Sequence, residues 1–134
     1  MKDTCELLFH GTARRDGDPM SVGAVLVRNG EVVDKMGGVI SYPGSLEKAP
    51  WEAMIQGMLM ARGNNVSRLI IKGDSRSVIN YMNGEPPSRD FGAMDYMKMA
   101  REHQLDFDQC FFQYIPPSQN KLAIDLARSS LEMG

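Results

Sequence analysis

The first third of the chain carries short apolar runs separated by polar turns, and the remainder alternates such runs with helix-spaced apolar positions. Residues 4–10 ("TCELLFH") read as a strand, followed by the loop "GTARRDGDP". Residues 21–28 ("SVGAVLVR") and 31–40 ("EVVDKMGGVI") read as two more strands, joined by Asn29-Gly30. Asn-Gly is a strong two-residue hairpin signal because both positions tolerate positive φ. Residues 41–50 form a loop whose closing proline suits a helix start. From there Trp51, Met54, Ile55, Met58 and Leu59 follow i, i+3, i+4, i+7, i+8 spacing, which predicts an amphipathic helix with a wide apolar face.

"GNN" at 63–65 ends that helix, and 67–73 ("SRLIIKG") predicts a short buried strand. Asp74 or Ser75 then caps a second helix, which stops at Gly84 and Pro86-Pro87. A third helix is expected from about Phe91 to His103, a fifth strand over 107–115, and a last helix from about Asn120 to Leu131. The order β-β-β-α-β-α-α-β-α predicts an α/β fold. Three antiparallel strands open a five-stranded mixed sheet, parallel strands complete it, and helices flank it. No repeat or linker divides the chain, so residues 1–134 are expected to form one domain.

Composition narrows the functional classes. The chain of 134 residues is 43% hydrophobic and 24% charged, ordinary for a soluble globular domain. It has no apolar run of membrane-spanning length and no signal-peptide layout at its start. Cys5 and Cys110 lie in separate apolar runs and make no metal-binding pair, which suits reduced thiols and an intracellular setting. A net charge of −2 argues against strong nonspecific nucleic-acid binding but allows a local basic patch. The 11 methionines fit adaptable core packing, with a protein-partner surface as the other use.

Three groups fall where such a fold brings residues together: His10 at the end of the first strand, Glu52 in the first turn of the first long helix, and Asp74 after the fourth strand. The carboxyl ends of central strands are the usual place for a site in α/β sheets. Paired carboxylates there point to a hard divalent metal, because Mg²⁺ prefers oxygen ligands. Arg14, Arg15, Lys72 and Arg76 form a candidate basic patch for phosphates. Trp51 either stacks on a base or packs over the sheet.

At these residues the chain resembles type 1 ribonuclease H domains. "IIKGDSRSVINYMNGE" is similar to their segment after the fourth strand, and "FHGTARRDG" to their opening "FDGTARRDG"-like strand and turn. "APWEAMIQGMLMA" is similar to the helix that carries their glutamate, and "NKLAIDLARSS" to their closing "NKxADxLAR"-like helix. The resemblance spans nearly the whole chain and is nearest to compact archaeal, plant and plant-retrotransposon domains. It implies a ribonuclease H-like fold, RNA–DNA hybrid as partner, and cleavage of the RNA strand. The implied cofactor is a pair of Mg²⁺ or Mn²⁺ ions held by four acidic residues.

Two of those four positions match, at Glu52 and Asp74, which the resemblance makes the metal ligands. The other two are filled by His10 and by Ile124. Asp125 follows Ile124, but one step on a helix turns a side chain by about 100°. The loss leaves two formal negative charges where the family has four, which would weaken binding of a second divalent ion. The chain therefore resembles a degenerate relative, catalytically weak or inactive, serving as a nucleic-acid-binding or protein-interaction module, with a retroelement origin as one source. The alternative is a metal-dependent endoribonuclease in which His10, Glu52, Asp74 and Asp125 act in altered geometry.

Overall fold

A computed structural model describes residues 4–41, 43–85 and 91–133. Strands β1 (Thr4–Ala13), β2 (Met20–Arg28) and β3 (Glu31–Ile40) form an antiparallel meander. Asn29 and Gly30 close its second hairpin at φ 54° and 79°, the backbone region that the Asn-Gly pair predicts. Helix α1 (Ala49–Gly63) leads to β4 (Arg68–Gly73), which pairs parallel with β1. Helices α2 (Arg76–Met82) and α3 (Phe91–Gln104) precede β5 (Gln109–Tyr114), which pairs parallel with β4. A 3-10 turn at Pro117–Gln119 leads into α4 (Lys121–Met133). The sheet order is β3-β2-β1-β4-β5, the mixed α/β sheet expected from the apolar pattern.

Alternation along β1 assigns the two faces. Cys5, Leu7 and Phe9 are buried toward α1, where Met54, Met58 and Trp51 close the core. On α1 the wide apolar face is narrower than its spacing implies, because Leu59 is exposed. Eight residues on from Trp51, Leu59 has rotated about 80° round the helix and reaches the rim of the stripe. Ser75, rather than Asp74, caps α2: its side chain accepts from the backbone N–H of Val78. The proline pair expected to stop α2 lies outside the described residues, as does position 42 of the preceding loop.

Two glycines let helices come down on the strand ends. A Cβ on Gly11 would sit 2.0 Å from the carbonyl oxygen of Ala49, so the start of α1 lies directly against the end of β1. A Cβ on Gly23 would sit 2.3 Å from the carbonyl oxygen of Ala123, so α4 lies against β2 from the opposite face. His10 is the register partner of Gly23, and opposed residues in an antiparallel pair share a face. His10 therefore projects on the α4 side. Gly11 and the first turn of α1 lie on the other.

Candidate functional site

The site is assembled at the carboxyl ends of β1 and β4. Register places Phe9 opposite Gly73, so His10 and Asp74 leave the two central strands side by side. The His10 Nδ1 atom lies 3.1 and 3.2 Å from the two carboxylate oxygens of Asp74. A carboxylate only accepts, so Nδ1 carries the proton and donates. Both side chains are mostly shielded from solvent, at 22% and 10% exposure.

Glu52 stands in the first turn of α1, where the positive end of the helix dipole favours an acid. Its Oε1 accepts a 2.6 Å hydrogen bond from the Tyr96 hydroxyl on α3. Beside it, Trp51 is 3% exposed and stacks with two aromatic rings. Tyr81 stacks at 6.2 Å and 16°, and Tyr96 at 6.1 Å and 8°. Trp51 thus packs as core. A cleft of about 340 Å³ opens beside Glu52, lined by Lys48, Gly92, Asp95, Tyr96 and Met99.

The last helix is anchored by Asn120, fully buried, whose amide donates to the Phe9 carbonyl at 2.8 Å. Ile124, one turn further, is half-buried. Asp125 is exposed and lines a different groove, with Val25, Val32, Lys35, Leu122, Leu126 and Ser129. The structure thus brings His10 and Asp74 together, ties Glu52 to Tyr96, and places Asp125 over the β2–β3 hairpin. Among the described residues no group of three or more His, Cys, Asp or Glu side chains is arranged to hold a metal ion.

The four candidate basic residues have separate neighbours. Lys72 is ion-paired with Glu6 at 2.7 Å on the sheet face, and the Arg76 guanidinium lies 4.1 Å from the centre of the Tyr114 ring. Arg15 pairs with Asp18 at 3.4 Å, and Arg14 lines a groove with Asp18, Pro19, Val39 and Leu131. Tyr96 and Tyr114 carry no local sequence signal, since their partners lie 44 positions away in one case and across β5 and α2 in the other. Asn120 stands at the head of the "NKLAIDLAR" segment, yet its contact to Phe9 spans 111 positions.

The architecture is shared with solved structures. Ribonuclease H1 of the halophilic archaeon Halobacterium salinarum NRC-1 superimposes with a TM-score of 0.94 at 26% identity, over 98% of this chain and 99% of that one. The N-terminal ribonuclease H domain of Rv2228c from Mycobacterium tuberculosis gives 0.91 at 18% identity, over 98% and 96%. A compost-derived ribonuclease H1, LC11, solved with an RNA/DNA hybrid, gives 0.86 at 17% identity, over 96% and 97%. No curated protein sequence matches significantly. The family model described as reverse transcriptase-like matches residues 8–130. With the strand order, helix positions and chain coverage in agreement, the chain belongs to the reverse transcriptase-like family and forms a ribonuclease H-like domain.

Proposed function

We propose that this ribonuclease H-like domain is a nucleic-acid-binding module with weak or absent hydrolytic activity. The observation that carries the reading is the hydrogen bond from His10 Nδ1 to Asp74. Two Mg²⁺ ions about 4 Å apart need dense carboxylate charge to offset their mutual repulsion. Here one matching carboxylate, Asp74, is bonded to a neighbouring imidazole, and the other, Glu52, is bonded to a phenol. An imidazole brings no negative charge and suits zinc and other transition metals better than Mg²⁺. Ile124 contributes no donor. This donor set does not fit a two-ion centre.

Support for nucleic acid as the partner comes from three sources. LC11 ribonuclease H1 is a structural neighbour solved with an RNA/DNA hybrid. Arg14, Arg15 and Arg76 are exposed on the loop after β1 and at the start of α2, the two segments that follow His10 and Asp74. The family itself is reverse transcriptase-like, consistent with descent from a retroelement. Asp125, over its separate groove, and Lys72, paired with Glu6, have secondary parts in this reading. No helix among the described residues is long and apolar enough to cross a membrane.

The test is a labelled RNA–DNA duplex incubated with Mg²⁺ or Mn²⁺, in parallel with Asp74→Asn. The expected result is no cleavage above background, with hybrid binding that weakens as salt rises. Robust cleavage abolished by Asp74→Asn would overturn the proposal in favour of a working endonuclease. Absence of binding to hybrid, duplex or single strand at low salt would replace nucleic acid with a protein partner.

A further inference from the structure

Glu52 keeps the position of the family's helix glutamate, but its surroundings assign it a different job. The Tyr96 hydroxyl reaches Oε1 at 2.6 Å, in the short range of charge-assisted O–H···O⁻ bonds. This phenol belongs to a ring stacked on a core side chain. The ring of Tyr96 lies 8° from parallel with Trp51, and Trp51 is backed by Tyr81, so α2, α1 and α3 share one aromatic stack. A phenolic oxygen sits on the ring's own axis, so rotation about χ2 leaves it in place. Only a χ1 change would withdraw it, and that would break the stack. Glu52 in turn follows Trp51 on the first turn of α1, where Gly11 presses the helix start against β1.

We infer that Tyr96 is a positioning residue that holds the Glu52 carboxylate as a latch between α1 and α3 and so withholds it from a metal ion. A cation that takes the Oε1 lone pair used by this hydroxyl must first displace the donor. A hydrogen bond to a charged group is worth about 1.5–3 kcal/mol, which sets the penalty on cation affinity at about tenfold or more. The inference rests on the proposed loss of the metal centre, but it is judged by a different measurement.

That measurement is Mn²⁺ binding followed by electron paramagnetic resonance. The starting protein is the double variant His10→Asp/Ile124→Asp, which supplies carboxylates at the two altered positions. Adding Tyr96→Phe keeps the ring and the stack and removes only the hydroxyl. The expected result is about tenfold tighter Mn²⁺ binding. Further addition of Glu52→Gln should cancel the gain, as expected if the gain runs through the Glu52 carboxylate. Unchanged or weaker binding on Tyr96→Phe overturns the inference, weaker binding because it makes Tyr96 a support for ligation. Failure of all restored variants to bind Mn²⁺ overturns it equally, since the latch would then not be what withholds Glu52. In the unmodified protein the Tyr96 hydroxyl proton should be visible by NMR and protected from exchange. It should disappear in Glu52→Ala, and a rapidly exchanging hydroxyl in the unmodified protein would also refute the latch. Hybrid cleavage by the unmodified protein would refute the proposed function, whereas the Mn²⁺ titration refutes Tyr96 alone.

Discussion

Asn120 offers the sharpest stability test, because it pins the start of α4 to the strand that carries His10. It is fully buried, its Nδ2 donates to the Phe9 carbonyl at 2.8 Å, and its Oδ1 has no hydrogen-bond partner among the described residues. Asn120→Ala deletes a buried donor, which costs about 1–3 kcal/mol, while also deleting the unpartnered oxygen, which offsets part of that cost. The net expectation is a loss of about 1–2 kcal/mol. Asn120→Asp preserves shape but aims a carboxylate oxygen at the Phe9 carbonyl with no cation beside it among the contacts of Asn120. An uncompensated buried charge costs about 3–5 kcal/mol, so the closer isostere should be the worse variant at neutral pH. Urea unfolding can follow the one tryptophan, Trp51, whose emission reports the packing of α1. For a chain of this size 1 kcal/mol moves Tm by roughly 4 °C, so Asn120→Ala should melt about 4–8 °C lower. An Asn120→Asp variant no worse than Asn120→Ala, or an alanine effect below about 0.5 kcal/mol, would refute the assigned role of this hydrogen bond.

Two further outcomes follow from close packing and burial. Gly11→Ala should destabilise by about 3 kcal/mol in the same unfolding assay, because its Cβ would meet the Ala49 carbonyl, whereas Gly38→Ala, with open space at its Cβ, should be near neutral. Equal effects would show that the start of α1 can shift at no cost. Burial pushes the Cys110 thiol from 9.0 up to about 12, with Arg101 opposing only part of the rise. The folded protein therefore keeps a proton that the unfolded chain releases. Stability tied to this group is present below pH 9 and is lost as pH rises through about 12. Alkylation at pH 8, located by peptide mass spectrometry, should leave Cys110 unmodified until urea unfolds the chain. Labelling of the folded protein at the rate of a small thiol would contradict the shift.

The elements were legible because they depend on local rules. Asn29-Gly30 can close a hairpin whatever surrounds it, and the apolar spacing after Pro50 fits a helix with one buried face. The mixed character of the sheet followed from the change of rhythm after residue 40, where strands begin to alternate with helices; the strand order β3-β2-β1-β4-β5 came from the structure. The details left open or misjudged were ones that neighbours decide. Leu59 has the right spacing for the core but lies at the rim of the stripe. Of the two expected cap candidates, Ser75 caps α2 and Asp74 meets His10.

What the sequence determined by itself was the scaffold, together with a resemblance that sets His10, Glu52, Asp74 and Ile124 against the family's four acidic positions. Residue identity at a position requires no coordinates, and it already implied a depleted charge. Tertiary structure alone decided what those side chains do. The His10–Asp74 bond joins residues 64 positions apart, and the Tyr96–Glu52 bond spans 44. Both contacts exist because parallel pairing of β1 with β4, and packing of α3 on α1, bring together groups that no local pattern relates. Hydrogen bonds reach only about 3 Å, so which donor meets which carboxylate is a property of the packed fold rather than of the spacing along the chain.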